Sequence, residues 1–335
     1  MLLAVAFLAA GRLDPGKRTE LQAQPMTESS LRDLAEAQAV LAQVIKQEPW
    51  LHALATRFPS GPHIGGRAPG TLPTACSTTR VLLTAALTAL VANDTSIPGD
   101  IVETGTYVGG TAITMLSMLQ KFDSPKRLFA CDSFAGLPDQ AVGDTSEQEA
   151  CKRALGKSRA ACAAGRTGTY KTSEEFFLNN VARYRVDVDR RLHVVKGWFN
   201  ESLPELVAAK TVTQIAFLRL DGDMYASTLD ALSALYPLLS EGGVVYADDY
   251  GTFGGCSAAI HDYRRAQGIT APMHRIVEES GSFERISGRP MDTTLKRKYE
   301  GKTEGVWWVK RPGACFLPEC FVGEPQVPEP EVLEG

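Results

Sequence analysis

From about residue 76 onward the chain alternates helix-period segments with short apolar runs, and this alternation restricts the fold more than any other feature. "STTRVLLTAALTALVAN" predicts a helix and "GDIVET" a strand, followed by "GGTAITMLSMLQKF" as helix and "KRLFACDSF" as strand. A polar, basic, Ala-rich insertion over 139–172 interrupts the pattern. It resumes with "SEEFFLNNVARY" as helix and "RLHVVKGWF" as strand, then "IAFLRLDGD", "STLDALSALYPLL", "GGVVYADDY" and "CSAAIHDYRRAQ" as strand, helix, strand, helix. Apolar strands regularly separated by helices predict an α/β protein with a doubly wound, mostly parallel sheet covered on both faces. In such sheets ligands gather beyond the carboxyl ends of the strands. A chain of 335 residues, 44% hydrophobic, is long enough for one large α/β domain plus extensions.

The remainder divides by composition. Residues 1–25 open with "MLLAVAFLAAG", an apolar run too short to span a bilayer and lacking the basic residue that precedes a signal-peptide core. Membrane contact or a secretory route would rest on that run alone, and the default compartment is cytoplasmic. Residues 26–75 hold an amphipathic helix, with Leu31, Leu34, Leu41, Val44 and Ile45 on one face. A Gly/Pro-rich stretch from Phe58 to Pro73 follows and is expected to act as a lid. Residues 76–312 form the main domain, and 313–335 an acidic, Pro-rich tail. A formal net charge of −4, with Lys and Arg scattered, gives no footprint for nucleic acid. Seven cysteines without CxxC spacing do not form a zinc motif, although Cys315 and Cys320 could pair in an oxidising compartment. The triplets at Asn93 and Asn200 match the glycosylation acceptor pattern, which is frequent by chance.

The carboxyl ends of the expected strands carry the chemistry. "IVETGTYVGG" places Glu103, Thr104, Gly105 and Gly109 at a strand-to-helix turn, where glycines admit a nucleoside and a carboxylate can hold an ammonium group. Tyr107 stands where the second glycine of a dinucleotide fingerprint belongs, which disfavours a nicotinamide-dependent oxidoreductase. Asp132 and Ser133 end the next strand, where an acidic side chain can accept from a ribose diol. "LRLDGDMY" and "GGVVYADDY" deliver Asp221, Asp223, Asp248 and Asp249 at two further strand ends. Asp221, Asp248 and Asp249 form an all-oxygen set of the kind Mg²⁺ prefers. The simpler alternative is that these aspartates cap helices.

Five blocks in order, "IVETGTYVGGTA", "CDSFAGLP", "VVKGWFNESLP", "LRLDGDMYASTLDALSALYPLLSEGGVVYADDY" and "CSAAIHDYRRAQGI", resemble the macrocin O-methyltransferase (TylF-like) family over roughly residues 75 to 290. The resemblance implies a Rossmann-like class I methyltransferase fold, S-adenosylmethionine as donor and Mg²⁺ at the acceptor. Glu103, Gly105, Asp132, Ser133, Gly197 and Trp198 match its cofactor segments, and Asp221, Asp248 and Asp249 its metal ligands. The acceptor it implies is a hydroxyl of a small molecule, a glycoside or other vicinal diol, and Asp221 or Asp223 would take the proton. A catalytically silent donor-binding protein is the remaining alternative, and the sequence leaves room for a homo-oligomer. Tyr225 is expected either to line the acceptor pocket or to pack on the sheet. His261 and His274 are expected to be surface or packing residues, and Trp307 and Trp308 to lie on a last strand with one buried face.

Overall fold

The computed structural model describes residues 74, 76, 78–139, 167–184, 186–251, 253–277 and 303–310. The N-terminal apolar run and helix, the segment 58–73, most of the 139–172 insertion, Cys315, Cys320 and the tail lie outside the described residues. In chain order the helices are α1 (Thr78–Asn93), α2 (Gly110–Lys121), α3 (Glu174–Ala182), α4 (Val188–Arg191), α5 (Phe199–Ala208), α6 (Tyr225–Leu235) and α7 (Gly254–Ala266). The strands are β1 (Asp100–Thr104), β2 (Leu128–Asp132), β3 (Leu192–Lys196), β4 (Ile215–Leu220), β5 (Leu239–Ala247), β6 (His274–Val277) and β7 (Thr303–Val309).

The strands form one sheet in the order β3-β2-β1-β4-β5-β7-β6. β3 through β5 are parallel, and β7 runs antiparallel to both β5 and β6. This is the doubly wound, Rossmann-like α/β architecture, with its strand order reversing between β1 and β4. Successive residues point to opposite faces and both faces are packed. Ile101, Phe217 and Val244 join the core beneath α1 to α3, while Val102, Leu218 and Val245 join the core beneath α5 to α7. All six residues of β4 are buried, as expected for a central parallel strand covered by helices.

Two features differ from the sequence reading. Trp307 and Trp308 are both buried, one in each core, because β7 lies inside the sheet between β5 and β6 rather than at an edge. The helix α5 was obscured by its internal Pro204, a residue that removes a helical N–H. Burial of Leu203 and Leu206 against the sheet overrides that local penalty.

Hydrogen bonds carry the register beyond the strand ends. Gly105 N–H donates to Cys131 O at 2.8 Å, Asp221 N–H to Thr104 O at 2.8 Å and Asp248 N–H to Leu220 O at 2.9 Å. Loops leaving β1, β4 and β5 therefore start side by side. Gly105 has φ +91°, and a Cβ there would lie 1.7 Å from the backbone oxygen of Asp221. Gly168 has φ +78° with nothing within 4 Å of such a Cβ. Alanine at either position carries the left-handed cost of about 1 kcal/mol, but Gly105→Ala adds an overlap with backbone worth about 1–3 kcal/mol. Denaturant midpoints should fall much further for Gly105→Ala than for Gly168→Ala; equal shifts would show that the β1 and β4 loops are not locked together.

Candidate active site

The register places Glu103 opposite Arg219 and Arg219 opposite Tyr246, giving a row across β1, β4 and β5 on the face covered by α1. Arg219 is wholly buried. Its Nη1 donates to Glu103 Oε1 at 3.2 Å and to Asp221 Oδ2 at 2.5 Å, and its Nη2 lies 3.0 Å from Asp248 Oδ1. Nη2 also donates to Cys76 Sγ at 3.2 Å, and the guanidinium stacks over the Tyr246 ring, 5.3 Å from its centroid. Arg80 of α1 reaches Asp248 Oδ2, and the Tyr246 hydroxyl donates to Asp248 Oδ1. Both oxygens of Asp248 are thus engaged by donors.

The helix-cap alternative does not hold. α6 and α7 begin at Met224 and Phe253 as N-caps, with no side-chain capping hydrogen bond at either. The aspartates gather instead around one centre. Burial works against the charge on Asp248, but Arg80 and Arg219 hold its carboxyl below the usual range. Asp249 is the opposite case. Burial, then the charges of Asp223, Asp221 and Asp248 and a side-chain hydrogen bond with Asp221, push its carboxyl well above the usual range, and its Oδ2 is buried without a partner. Asp221 is raised by burial, with Arg219 opposing. Among the described residues five carboxylates, Glu103, Asp221, Asp223, Asp248 and Asp249, surround two guanidinium groups. The centre lacks positive charge.

Cys76, Asp221 and Asp248 offer ligand atoms within 4.8 Å of one another. Arg219 already donates to all three, so a metal in that triangle would have to displace a buried guanidinium. The Asp249 side of the centre, with its unsatisfied oxygen, fits an added hard cation better.

The glycine loop is organised by Asp132. Its Oδ2 accepts from Thr106 N–H at 2.9 Å and Tyr107 N–H at 2.8 Å, and its Oδ1 accepts from Phe134 N–H at 2.7 Å. A carboxylate has about four acceptor positions, which leaves room for one more donor. Ser133 Oγ donates to Gly136 O at 3.3 Å and accepts from Ala135 N–H at 3.1 Å. Tyr107, Phe134 and Asp223 adopt φ of 48°, 55° and 58°, so three non-glycine residues in the left-handed region cluster at the ends of β1, β2 and β4. Such strain concentrates at functional sites.

Glu103 is deeper than its sequence position suggested. Burial, opposed by Arg219 and by a hydrogen bond with Thr111, pushes its carboxyl up to about 7. Thr104 is buried, its hydroxyl donating to Arg219 O at 3.4 Å. Gly109, at φ 96°, is the N-cap of α2. A Cβ at Gly197 would lie 2.9 Å from Ser202 Cβ, so this glycine lets α5 turn back at the end of β3, leaving Trp198 37% exposed beside the same strand edge.

Other residues fall to packing or surface roles. The Tyr225 hydroxyl donates to Asp262 at 3.0 Å on the exposed side of α6, His261 Nε2 lies 2.8 Å from the Tyr250 hydroxyl, and His274 stacks on Trp307. The sequence reading missed Arg219, Arg80, Cys76 and Tyr246. Only Arg219 left a signal, a charged residue inside the otherwise apolar "IAFLRL".

Arg219→Met should strand Glu103, Asp221 and Asp248 without their shared cation and cost about 3–5 kcal/mol of stability at neutral pH. Their carboxyls would then titrate higher when folded than when unfolded. The folded state would bind more protons, so the deficit should shrink on mild acidification and grow as pH rises. A denaturation deficit independent of pH would contradict this electrostatic role.

The family model described as macrocin-O-methyltransferase (TylF) matches residues 19–285. An 8-demethyl-8-(2,3-dimethoxy-alpha-L-rhamnosyl)-tetracenomycin-C 4'-O-methyltransferase of Streptomyces olivaceus is 36% identical over 181 residues, 54% of this chain and 63% of that protein. Demethyldecarbamoylnovobiocin O-methyltransferase of Streptomyces niveus is 36% identical over 170 residues, 50% of this chain and 59% of its own length. The matched part thus spans about three-fifths of these relatives. The solved structure of the O-methyltransferase NovP superposes with TM-score 0.55 at 26% identity, covering 82% of this chain and 98% of that one. Calicheamicin methyltransferase CalS11 shares the fold, at TM-score 0.50 and 18% identity over 85% of this chain and 94% of its own. With a family match that runs through every strand described above except β7, the chain belongs to the macrocin-O-methyltransferase (TylF) family.

Proposed function

We propose that the protein transfers a methyl group from S-adenosylmethionine to a hydroxyl of a small molecule carrying a vicinal diol, a glycoside being the favoured class, with a divalent cation at the acceptor. The observation that carries this reading is the charge imbalance toward the carboxyl ends of β1, β4 and β5. Five carboxylates meet two guanidinium groups there, and one buried carboxylate oxygen lacks a partner. Family membership and the glycoside-modifying relatives agree with it.

Glu103, Thr104, Gly105 and Gly109 would bound the donor on the β1 side, Asp132 and Ser133 the ribose side, and Gly197 with Trp198 the outer wall. Asp221, Asp248 and Asp249 would hold Mg²⁺. Asp249 would contribute its unsatisfied oxygen and Asp221 the oxygen not bound by Arg219, while Asp248, which meets Arg80, Arg219, Tyr246 and Cys76, would join them by giving up one of these donors. The bound cation would supply Lewis acidity, lowering the pKa of the acceptor hydroxyl. Asp223 is then better placed than Asp221 to take the proton, since Asp221 is bound by Arg219 at 2.5 Å and would also hold the cation. Arg219 and Arg80 fix the aspartates in place, so the centre needs little reorganisation when the acceptor arrives.

Donor and cation sites lie on different loops, so S-adenosylmethionine should bind in the presence of a chelator. Calorimetry tests this, and loss of donor binding on chelation would defeat the partition. Asp221→Asn should leave donor affinity within about twofold while lowering methyl transfer by about a hundredfold or more, with partial rescue by excess Mg²⁺. Methyl α-L-rhamnopyranoside is a direct acceptor probe, suggested by the rhamnosyl group in the Streptomyces olivaceus relative's name. A variant with unchanged turnover and unchanged Mg²⁺ dependence would remove the metal assignment.

A further inference from the structure

The connection between β2 and α3 returns to the sheet edge at Thr167–Tyr170, and the return is built rather than incidental. Leu137 N–H donates to Thr169 O at 2.8 Å and Gly168 N–H to Leu137 O at 2.9 Å, a reciprocal pair that pins this turn to the loop after β2. Gly136 makes the close approach feasible, because a Cβ there would lie 2.6 Å from Thr169 O. The turn ends in Tyr170, at φ 63°, whose ring meets Tyr107 edge-on with centroids 5.4 Å apart. The half-buried ring packs on the core that contains Leu137 and Met224. Burial and then the charges of Asp223, Asp249 and Asp221 push its phenol up, so the hydroxyl stands in the field of the acidic centre and keeps its proton.

A tyrosine held by a strained backbone and a two-way hydrogen-bonded turn, its ring against Tyr107 of the glycine loop and its phenol within electrostatic reach of Asp223, Asp249 and Asp221, stands near both the donor and cation sites. A protonated phenol there is a donor with a fixed position, and its ring is an apolar wall suited to the C–H face of a pyranose. We propose that Tyr170 is an acceptor-binding residue, its ring forming the wall against the acceptor's sugar and its hydroxyl donating to an acceptor oxygen beside Asp223. This rests on the methyl-transfer reading above and adds to it the residue that orients the glycoside.

Kinetics with methyl α-L-rhamnopyranoside test it, alongside calorimetric binding of S-adenosylhomocysteine and of Mn²⁺. Tyr170→Phe keeps the ring and should raise the acceptor KM by about fivefold to tenfold, the value of one lost neutral hydrogen bond. Tyr170→Leu removes the platform too and should raise it further. Both variants should keep S-adenosylhomocysteine and Mn²⁺ affinities within about twofold of the unsubstituted protein. An unchanged acceptor KM in both variants would overturn the proposal. So would donor and Mn²⁺ affinities that fall in step with KM, since Tyr170 would then serve only the fold. Failure of the unsubstituted protein to methylate the rhamnoside overturns the glycoside reading itself, an outcome distinct from variants that match an active parent.

Discussion

A guanidinium inside a parallel sheet is the constraint around which this molecule is arranged. Arg219 sits in the most buried strand, where an unpaired cation would be prohibitively costly. It is tolerated because neighbouring strands supply Glu103 and Asp248, its own strand end supplies Asp221, and Tyr246 presents its ring face. Each partner is tied down in turn. Asp248 is shared with Arg80 from α1, so the helix that opens the described fold is locked electrostatically to the end of β5. The same contacts that satisfy the buried charge also fix the aspartates that would do the chemistry.

Arg219 and Arg80 neutralise the inner part of the acidic group and leave the outer part short of positive charge. Asp248 is held ionised by two arginines, whereas Asp249, one residue further, faces Asp221, Asp223 and Asp248 and is driven toward its neutral form. Adjacent residues in "DD" therefore have opposite electrostatic situations. Asp248 meets Arg80 and Arg219 directly, while carboxylates dominate the surroundings of Asp249. That gradient defines where an added cation would improve the electrostatics and where it would be redundant.

The sequence was informative where periodicity and strand-end composition are local properties. The order of the strands from Asp100 to Ala247 and of the helices other than α4 and α5, and the arrival of Asp132, Asp221 and Asp248 at strand ends, were legible because buried parallel strands read as continuous apolar runs. Trp307 and Trp308 show where that legibility stops. Their strand was recognisable, but its interior place between β5 and β6 follows from a chain reversal that leaves no local mark. Pro204 misled in the other direction, since its helical penalty is local and the packing that overcomes it is not.

What the sequence determined by itself, then, was the alternating α/β pattern, the family and the residues that reach the carboxyl edge, because each depends on neighbours a few positions apart. Only the tertiary structure decided which carboxylates are already neutralised. Cys76 and Arg80 meet Asp248 across 172 and 168 residues of chain, Arg219 meets Glu103 across 116, and Tyr170 reaches the acidic centre from a turn pinned to Leu137. Charge balance in a low-dielectric interior depends on which groups come together in space, and the fold sets those distances.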